Sequence, residues 1–516
     1  MRRILIFFTV LVVITGCTAS KSSFSPLKKY SLQQVQRDYS IYQDILEVQH
    51  PSLYWYTPRD SMDYYFNWGQ QQLKDSMTES EFRKVLTYVT AKINCGHTTV
   101  RQSKAMTKFN DTVRIGRLFP LSVKTWSGKN RLDTIAVTLN LHRRDSILKR
   151  GTVITGINGR QTDELIDTLF SYISTDGYNR THKHQSLSNT GFFGSLYSYL
   201  YGLSEKYNIE YIDSTGQQKA ITIPVYDPAK DSLVRGMARR PPAMQRSPQS
   251  PSKREIRMRQ MANLRLLQID SVNKTAMMRL SLFSSGYQLK KFFRESFRQL
   301  EKNDITHLII DVSRNGGGNV TNSTLLTRFI SDHKFKLTDS LYAITRKSPH
   351  GRYIKHIFWY KLFMVFITKK KRDGNYHFGY YERHYFKPKR NNHFDGKVYI
   401  ITGGNSFSAS TLFVSTVIKQ DNVTVVGEET GGGAYGNSAW FRPDVTLPET
   451  GVRFGLPMFR VVIDKNAPRN GRGVQPEVEA LPTTPAIRRA ADFKLEKVME
   501  LIEADKKSKQ AALNAG

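Results

Sequence analysis

Val398-Tyr399-Ile400-Ile401-Thr402-Gly403-Gly404-Asn405-Ser406-Phe407-Ser408-Ala409-Ser410 reads as a strand, a tight loop and the first turn of a helix. Its apolar run is what a strand buried on both faces carries, and the small residues after it turn the chain before helical periodicity begins at about 408. Leu308-Ile309-Ile310 and the segment from Val423 to Val426 repeat the apolar run, and residues 275–283 read as a further strand. Between them Leu289, Phe292, Phe293, Phe297 and Leu300 recur at helical spacing, and Leu495, Val498, Met499 and Ile502 mark a last helix. The order βαβαβ predicts an α/β core with a mostly parallel sheet and right-handed crossovers.

Two loops in this half carry unusual chemistry. Asp311-Val312-Ser313-Arg314-Asn315-Gly316-Gly317-Gly318-Asn319 follows a strand. Three successive glycines leave backbone N–H groups unobstructed for an anion or oxyanion, although a flexible turn has the same composition. In the second loop a serine at the strand-to-helix junction exposes its oxygen near the positive end of the helix dipole, as in a nucleophile elbow; a plain N-cap serine is the alternative. Val425-Val426-Gly427-Glu428-Glu429-Thr430-Gly431-Gly432-Gly433 ends a third strand.

These three loops in order, with Gly473-Val474-Gln475-Pro476-Glu477 beyond them, resemble the C-terminal processing, or tail-specific, serine peptidases and their tricorn-like and retinoid-binding-protein-like relatives, over roughly 265–485. The resemblance implies acyl transfer from a protein or peptide substrate to Ser408 and then to water, without cofactor or metal. It also implies an oxyanion hole from the N–H groups of Ala409 and the Gly316-Gly317 turn. The processing peptidases place a general-base lysine in the third glycine loop, and Gly433 stands there, so a Ser/Lys dyad is excluded. Gly96-His97-Thr98 resembles the Asp-Gly-His-Thr motif of the tricorn-like branch, with Cys95 in place of Asp, which makes His97 the base. The orienting glutamate of that branch aligns with Asn470; Glu428 and Glu429 are the alternatives. A peptide-binding lipoprotein that kept the cleft without turnover is the rival which Gly433, Cys95 and Asn470 raise.

The N-terminal half supplies the frame. Thr78 with Glu81 makes a capping box for a helix carrying Phe82, Val85, Leu86, Val89 and Ile93, with Gly96 suited to its C-terminal cap. Residues 107–227 turn to short strands. Gly151-Thr152-Val153-Ile154-Thr155-Gly156-Ile157-Asn158-Gly159, followed by Leu165, Ile166, Leu169 and Phe170, resembles the second half of a PDZ module, with 175–205 as an insertion whose His182 and His184 are exposed loop residues. Residues 228–262, rich in proline and basic residues, read as a linker.

The start of the chain has Arg2-Arg3, an apolar run from Ile4 to Ile14, and Thr15-Gly16-Cys17. This is a signal peptide too short to span a bilayer, and it resembles a lipobox in which Cys17 is lipidated. The expected divisions are therefore a signal peptide, 1–16; a tether and helical region with His97, 17–106; a PDZ-like module, 107–227; the linker, 228–262; the α/β peptidase core, 263–485; and a C-terminal helix and tail, 486–516. The expected location is an inner or outer membrane, facing the periplasm or cell surface. Cys17 and Cys95 are too few for a disulfide framework or a cysteine zinc site. The formal net charge of +33 calls for an anionic neighbour, but the charge is dispersed and export removes most nucleic-acid targets. Ile357 to Ile367 is apolar and aromatic, bordered by Lys355 and the run Lys369 to Arg372, which suits either a membrane-lying segment or a lid over the cleft.

Overall fold

A computed structural model describes residues 24–113, 116–128, 132–231 and 252–515. The signal segment, Cys17 and most of the expected linker lie outside the described residues. The fold is mixed α/β, with helices at the N-terminal end and several sheets, most of them antiparallel.

Six strands form the sheet that carries the loops, in the spatial order Arg265–Asp270, Thr275–Leu280, His307–Asp311, Lys397–Thr402, Val423–Gly427 and Val478–Glu479. The first pair is antiparallel and the other four pairings are parallel. Strand alternation explains the two apolar layers, since successive side chains point to opposite faces. Leu308, Ile310, Val398 and Ile400 pack beneath the helices Leu289–Lys302, Val320–Ile330 and Ala409–Val417, whereas Ile309, Tyr399 and Ile401 meet Val498 and Ile502 of the helix Phe493–Ala515. Because the strands run parallel, with Asp311 opposite Ile401 and Thr402 opposite Gly427, all three loops leave the sheet at one end.

The helix Glu79–Lys92 starts at Thr78 with both arms of the capping box formed. It ends differently from the expectation. Asn94 takes the left-handed conformation, at φ 55°, leaving Gly96 for another purpose. Residues 121–224 build an antiparallel sheet from Leu121–Ser127, Asp133–Asn140, Val153–Ile157, Lys206–Ile212 and Gln218–Pro224, with the helix Thr162–Phe170 against it. The expected loop insertion is two helices, Arg180–Ser188 and Phe192–Tyr201. His184 is buried there, its Nε2 3.0 Å from Ser127 Oγ and 3.2 Å from Asp133 Oδ1, so it is a core residue rather than an exposed one. The end of the expected linker is also structured. Ser252 and Glu255 form a capping box at the start of the helix Lys253–Leu264, which runs straight into the first strand of the sheet.

Phe413, fully buried one turn beyond Ser408, ties its helix to the sheet. Phe413→Ala should cost about 3–5 kcal/mol of unfolding free energy in a denaturant titration; a loss under about 1 kcal/mol would show that this helix is not held by the core.

Candidate active site

Ser408 sits where the strand Lys397–Thr402 gives way to the helix Ala409–Val417, at φ 56° and ψ −119°. A serine in that region carries backbone strain of about 1–3 kcal/mol, which the surroundings must hold in place. It occupies the N-cap position but its side chain makes no capping hydrogen bond, so the N-cap alternative does not account for it. Its neighbours are committed elsewhere: Ser406 Oγ donates to Val312 O at 2.8 Å and accepts from Gly403 N–H at 3.1 Å, and Ser410 is buried in the helix.

The glycine loop is pressed onto this turn. Phe407 N–H donates to Asn315 O at 3.1 Å. Gly317, at φ 93°, approaches so closely that a Cβ there would lie 2.7 Å from Ser408 Cβ and 2.9 Å from Ala409 N. This is a fixed contact, unlike a slack turn. Of the two expected glycine donors, Gly317 N–H is engaged by Asn315 Oδ1 at 2.9 Å, while Gly316 is exposed.

His97 arrives from beyond the helix Glu79–Lys92 and is buried. Its ring lies 5.0 Å from that of Phe407, the residue before Ser408, and the His182 ring lies 4.9 Å from the same Phe407 ring. Gly96 permits the approach, since a Cβ there would meet the Phe407 ring at 2.4 Å. Burial, then the nearby Arg442 and His182, push the His97 pKa well below its usual value, so the imidazole is neutral at ordinary pH. Both ring nitrogens are buried without a hydrogen-bond partner among the described residues.

The acid nearest this ring is Asp176, whose Oδ1 lies 3.9 Å from His97 Nδ1. Asp176 Oδ1 accepts from Gly96 N–H at 2.9 Å and Oδ2 from Gly433 N–H at 3.4 Å. Burial nonetheless raises its pKa to about 7. Sequence reasoning missed this residue, which lies in the stretch taken for an insertion and carries no local signal. Asn470 is corrected accordingly: it is exposed, its Oδ1 accepts from Arg472 N–H at 3.0 Å, and it makes no hydrogen bond to His97.

The other two candidates serve the frame. Glu428 is buried against Lys494 at 2.6 Å; although burial works the other way, Lys494 and Lys124 hold its carboxyl at about 2. Glu429 takes both prongs of Arg472, at 2.9 and 2.6 Å, and accepts from Gly473 N–H at 2.6 Å. Gly433 has no room for the lysine of the processing peptidases, because even a Cβ would lie 2.5 Å from Gly436 O. Cys95 is buried, and burial raises its thiol to about 11, so it is no thiolate.

Residues 274–480 match the model of peptidase family S41. A search of curated proteins gives no match. Among solved structures the chain is similar to mature CPAF, at 15% identity and a TM-score of 0.60, over 92% of this chain and 98% of that one. It is similar as well to mature CPAF complexed with lactacystin, at 14% identity and 0.59 over 94% and 99%, and to a CPAF mutant at 14% and 0.61 over 92% and 98%. At such identities the likeness shows the fold. The stretch 274–480, which contains the glycine loop, the Ser408 turn and the third loop, is thus an S41 peptidase domain, and the chain is a serine-type endopeptidase of the C-terminal processing kind.

Proposed function

We propose that Ser408 is the nucleophile, His97 its general base and Asp176 the group that orients and balances the imidazole, with Gly316 and Ala409 N–H as the oxyanion donors. The observation that carries this reading is the strained Ser408 turn held beneath Gly317. His97 is neutral at ordinary pH and can accept the Ser408 proton as Oγ attacks the substrate carbonyl. The resulting imidazolium then faces the Asp176 carboxylate, and returns the proton to the leaving amine; water repeats the sequence on the acyl-enzyme. His97 and Ser408 are not hydrogen-bonded in this structure, and bound substrate is expected to bring them within reach, as catalytic hydrogen bonds commonly tighten only in the complex. Gly317 acts through its missing side chain, which lets the loop touch the nucleophile turn.

The substrates are taken to be exported proteins or peptides. The signal-like start of the chain supports this, as does the lipobox resemblance at Cys17, which would anchor the enzyme facing the periplasm or cell surface. No helix among the described residues is long and apolar enough to cross a membrane. The antiparallel sheet over 121–224 with its helix Thr162–Phe170 is taken as the PDZ-like module, and the core of 263–485 as the catalytic one.

Ser408→Ala is expected to abolish peptide hydrolysis and labelling by a fluorophosphonate while the thermal midpoint stays within a few degrees; a retained label would move the nucleophile elsewhere. His97→Ala should lower kcat by a factor on the order of 10³ or more in a stopped assay, since base and nucleophile act as a unit; undiminished turnover would remove His97 from the mechanism.

The pH profile tests Asp176. Its carboxyl titrates near 7 and is needed ionised, so kcat/KM should rise as pH increases through about 7, whereas His97, titrating lower, is already neutral there. In Asp176→Asn the profile should lose this rise and the rate at pH 8 should fall by a factor on the order of 10² or more. An unchanged profile would show that Asp176 only braces the Gly96 and Gly433 backbone.

A further inference from the structure

The helix Ile357–Ile367, Ile-Phe-Trp-Tyr-Lys-Leu-Phe-Met-Val-Phe-Ile, presents its apolar side to solvent. Met364 is its one buried residue, while Phe358, Trp359 and Phe366 are 67%, 65% and 79% exposed. A surface helix ordinarily turns its apolar stripe inward and its charges outward. Here the inward contacts are few: Tyr360 and Phe363 rest on Phe441, at ring separations of 5.3 and 4.5 Å. Between the helix and Phe441 lies an open groove of about 510 Å³ walled by Trp359, Leu362, Phe363, Phe366 and Phe441. Neither Ser408 nor His97 lines it, and a helix this exposed is not packed down as a lid over the catalytic turn.

Charge decides what would cover this face. Lys355, Lys361, Lys369, Lys370 and Arg372 are all exposed around the helix, and none forms an ion pair among the described residues. Lys371 is the exception, bound to Glu382 at 2.6 Å. Unpaired cations bordering exposed aromatic and aliphatic side chains match the two layers of an anionic bilayer surface, phosphate outside and acyl chain beneath. Eleven residues rise about 16 Å, too little to cross a hydrocarbon core of about 30 Å, so the helix would lie in the interface.

We propose that the helix Ile357–Ile367 and its bordering cations form a docking face for an anionic lipid bilayer, with Phe358, Trp359 and Phe366 entering the acyl boundary. This contact is separate from any lipid on Cys17 and does not rest on the roles assigned to Ser408, His97 and Asp176. Its consequence is orientation: two points of attachment would fix how the peptidase faces the membrane, where one acyl chain on a tether would leave it free to turn.

The N-terminal segment could hold the full chain on vesicles by itself, so the test must read the helix locally. The full chain is mixed with vesicles of phosphatidylglycerol and phosphatidylethanolamine, with and without brominated acyl chains, and tryptophan emission is recorded. A blue shift and bromolipid quenching are expected, both absent in Trp359→Phe and both reduced on phosphatidylcholine vesicles. Replacing Lys369, Lys370 and Arg372 by Gln should weaken the quenching titration by about fivefold per cation. Equal quenching in Trp359→Phe, or none in the wild type, overturns the proposal. So does either of two results with Phe358→Ser/Phe366→Ser without lipid: loss of cleavage of a soluble peptide, which would make the face a substrate surface, or dissociation of a dimer in sedimentation, which would make it an interface between copies.

Discussion

The contact between Gly317 and the Ser408 turn is the constraint from which the rest of the site follows. Two loops from neighbouring parallel strands meet there with both backbones at positive φ, and a single added carbon on Gly317 would collide with Ser408 Cβ and Ala409 N. Parallel pairing is what makes such a meeting available, because strands that run together deliver their loops to the same end of the sheet. Ser406 fastens the loops by bonding to Val312 O, and the Asn315 carbonyl does so by accepting from Phe407 N–H, while the Asn315 side chain accepts from Gly317 N–H and shapes the glycine loop itself. The strain at Ser408 is thus held by buried hydrogen bonds between the two loops.

Electrostatics around the turn separate two kinds of buried acid. Glu428 and Glu429 are each matched to a cation, Lys494 and Arg472: the first pair ties the third loop to the start of the helix Phe493–Ala515, and Glu429 ties that loop to Arg472 and Gly473. Among the described residues Asp176 has no cation in contact; backbone N–H groups and a more distant Arg442 oppose its desolvation, which leaves its pKa near neutrality. His97 beside it is desolvated in the opposite sense and stays neutral. Burial thus moves the two groups in opposite directions and inverts their usual order, so that the Asp176 carboxyl holds a proton more tightly than the His97 imidazole.

The groups that converge come from three parts of the chain: His97 from the N-terminal helical region, Asp176 from the loop between the helices Thr162–Phe170 and Arg180–Ser188 within the antiparallel module, and Ser408 from the S41 domain. Gly96 and Gly433 are the hinge points of that convergence, one admitting Phe407 and the other Gly436 O where a side chain would intrude, and both donate to Asp176. The docking helix lies on a further sheet, made of Lys369–Lys370, Tyr376–His377, Ser340–Ala343, Phe459–Val462 and Gly436–Ala439, whose last strand follows the third glycine loop.

The sequence by itself determined the core strands, the helices between them, the glycine loop, the Ser408 junction and the absence of a lysine at 433. These are legible because the information is local: strand and helix periods repeat within a few residues, and glycine and serine at a strand end have a meaning of their own. The same local rules failed where tertiary contacts supplied the stabilisation. The helix Arg180–Ser188 has little apolar periodicity and is held by partners such as Thr125 and Ser127, so it read as a loop, and His184 read as exposed. Asp176 is 79 residues from His97 and 232 from Ser408 in the chain, and no pattern in the sequence announces an acid that only burial and two distant backbone amides make significant. The outward turn of Phe358, Trp359 and Phe366 was likewise undecidable from composition, because an apolar helix is written the same way whether its face meets a core or a membrane. Which face is covered is a property of the assembled neighbours, and so only the tertiary structure decided it.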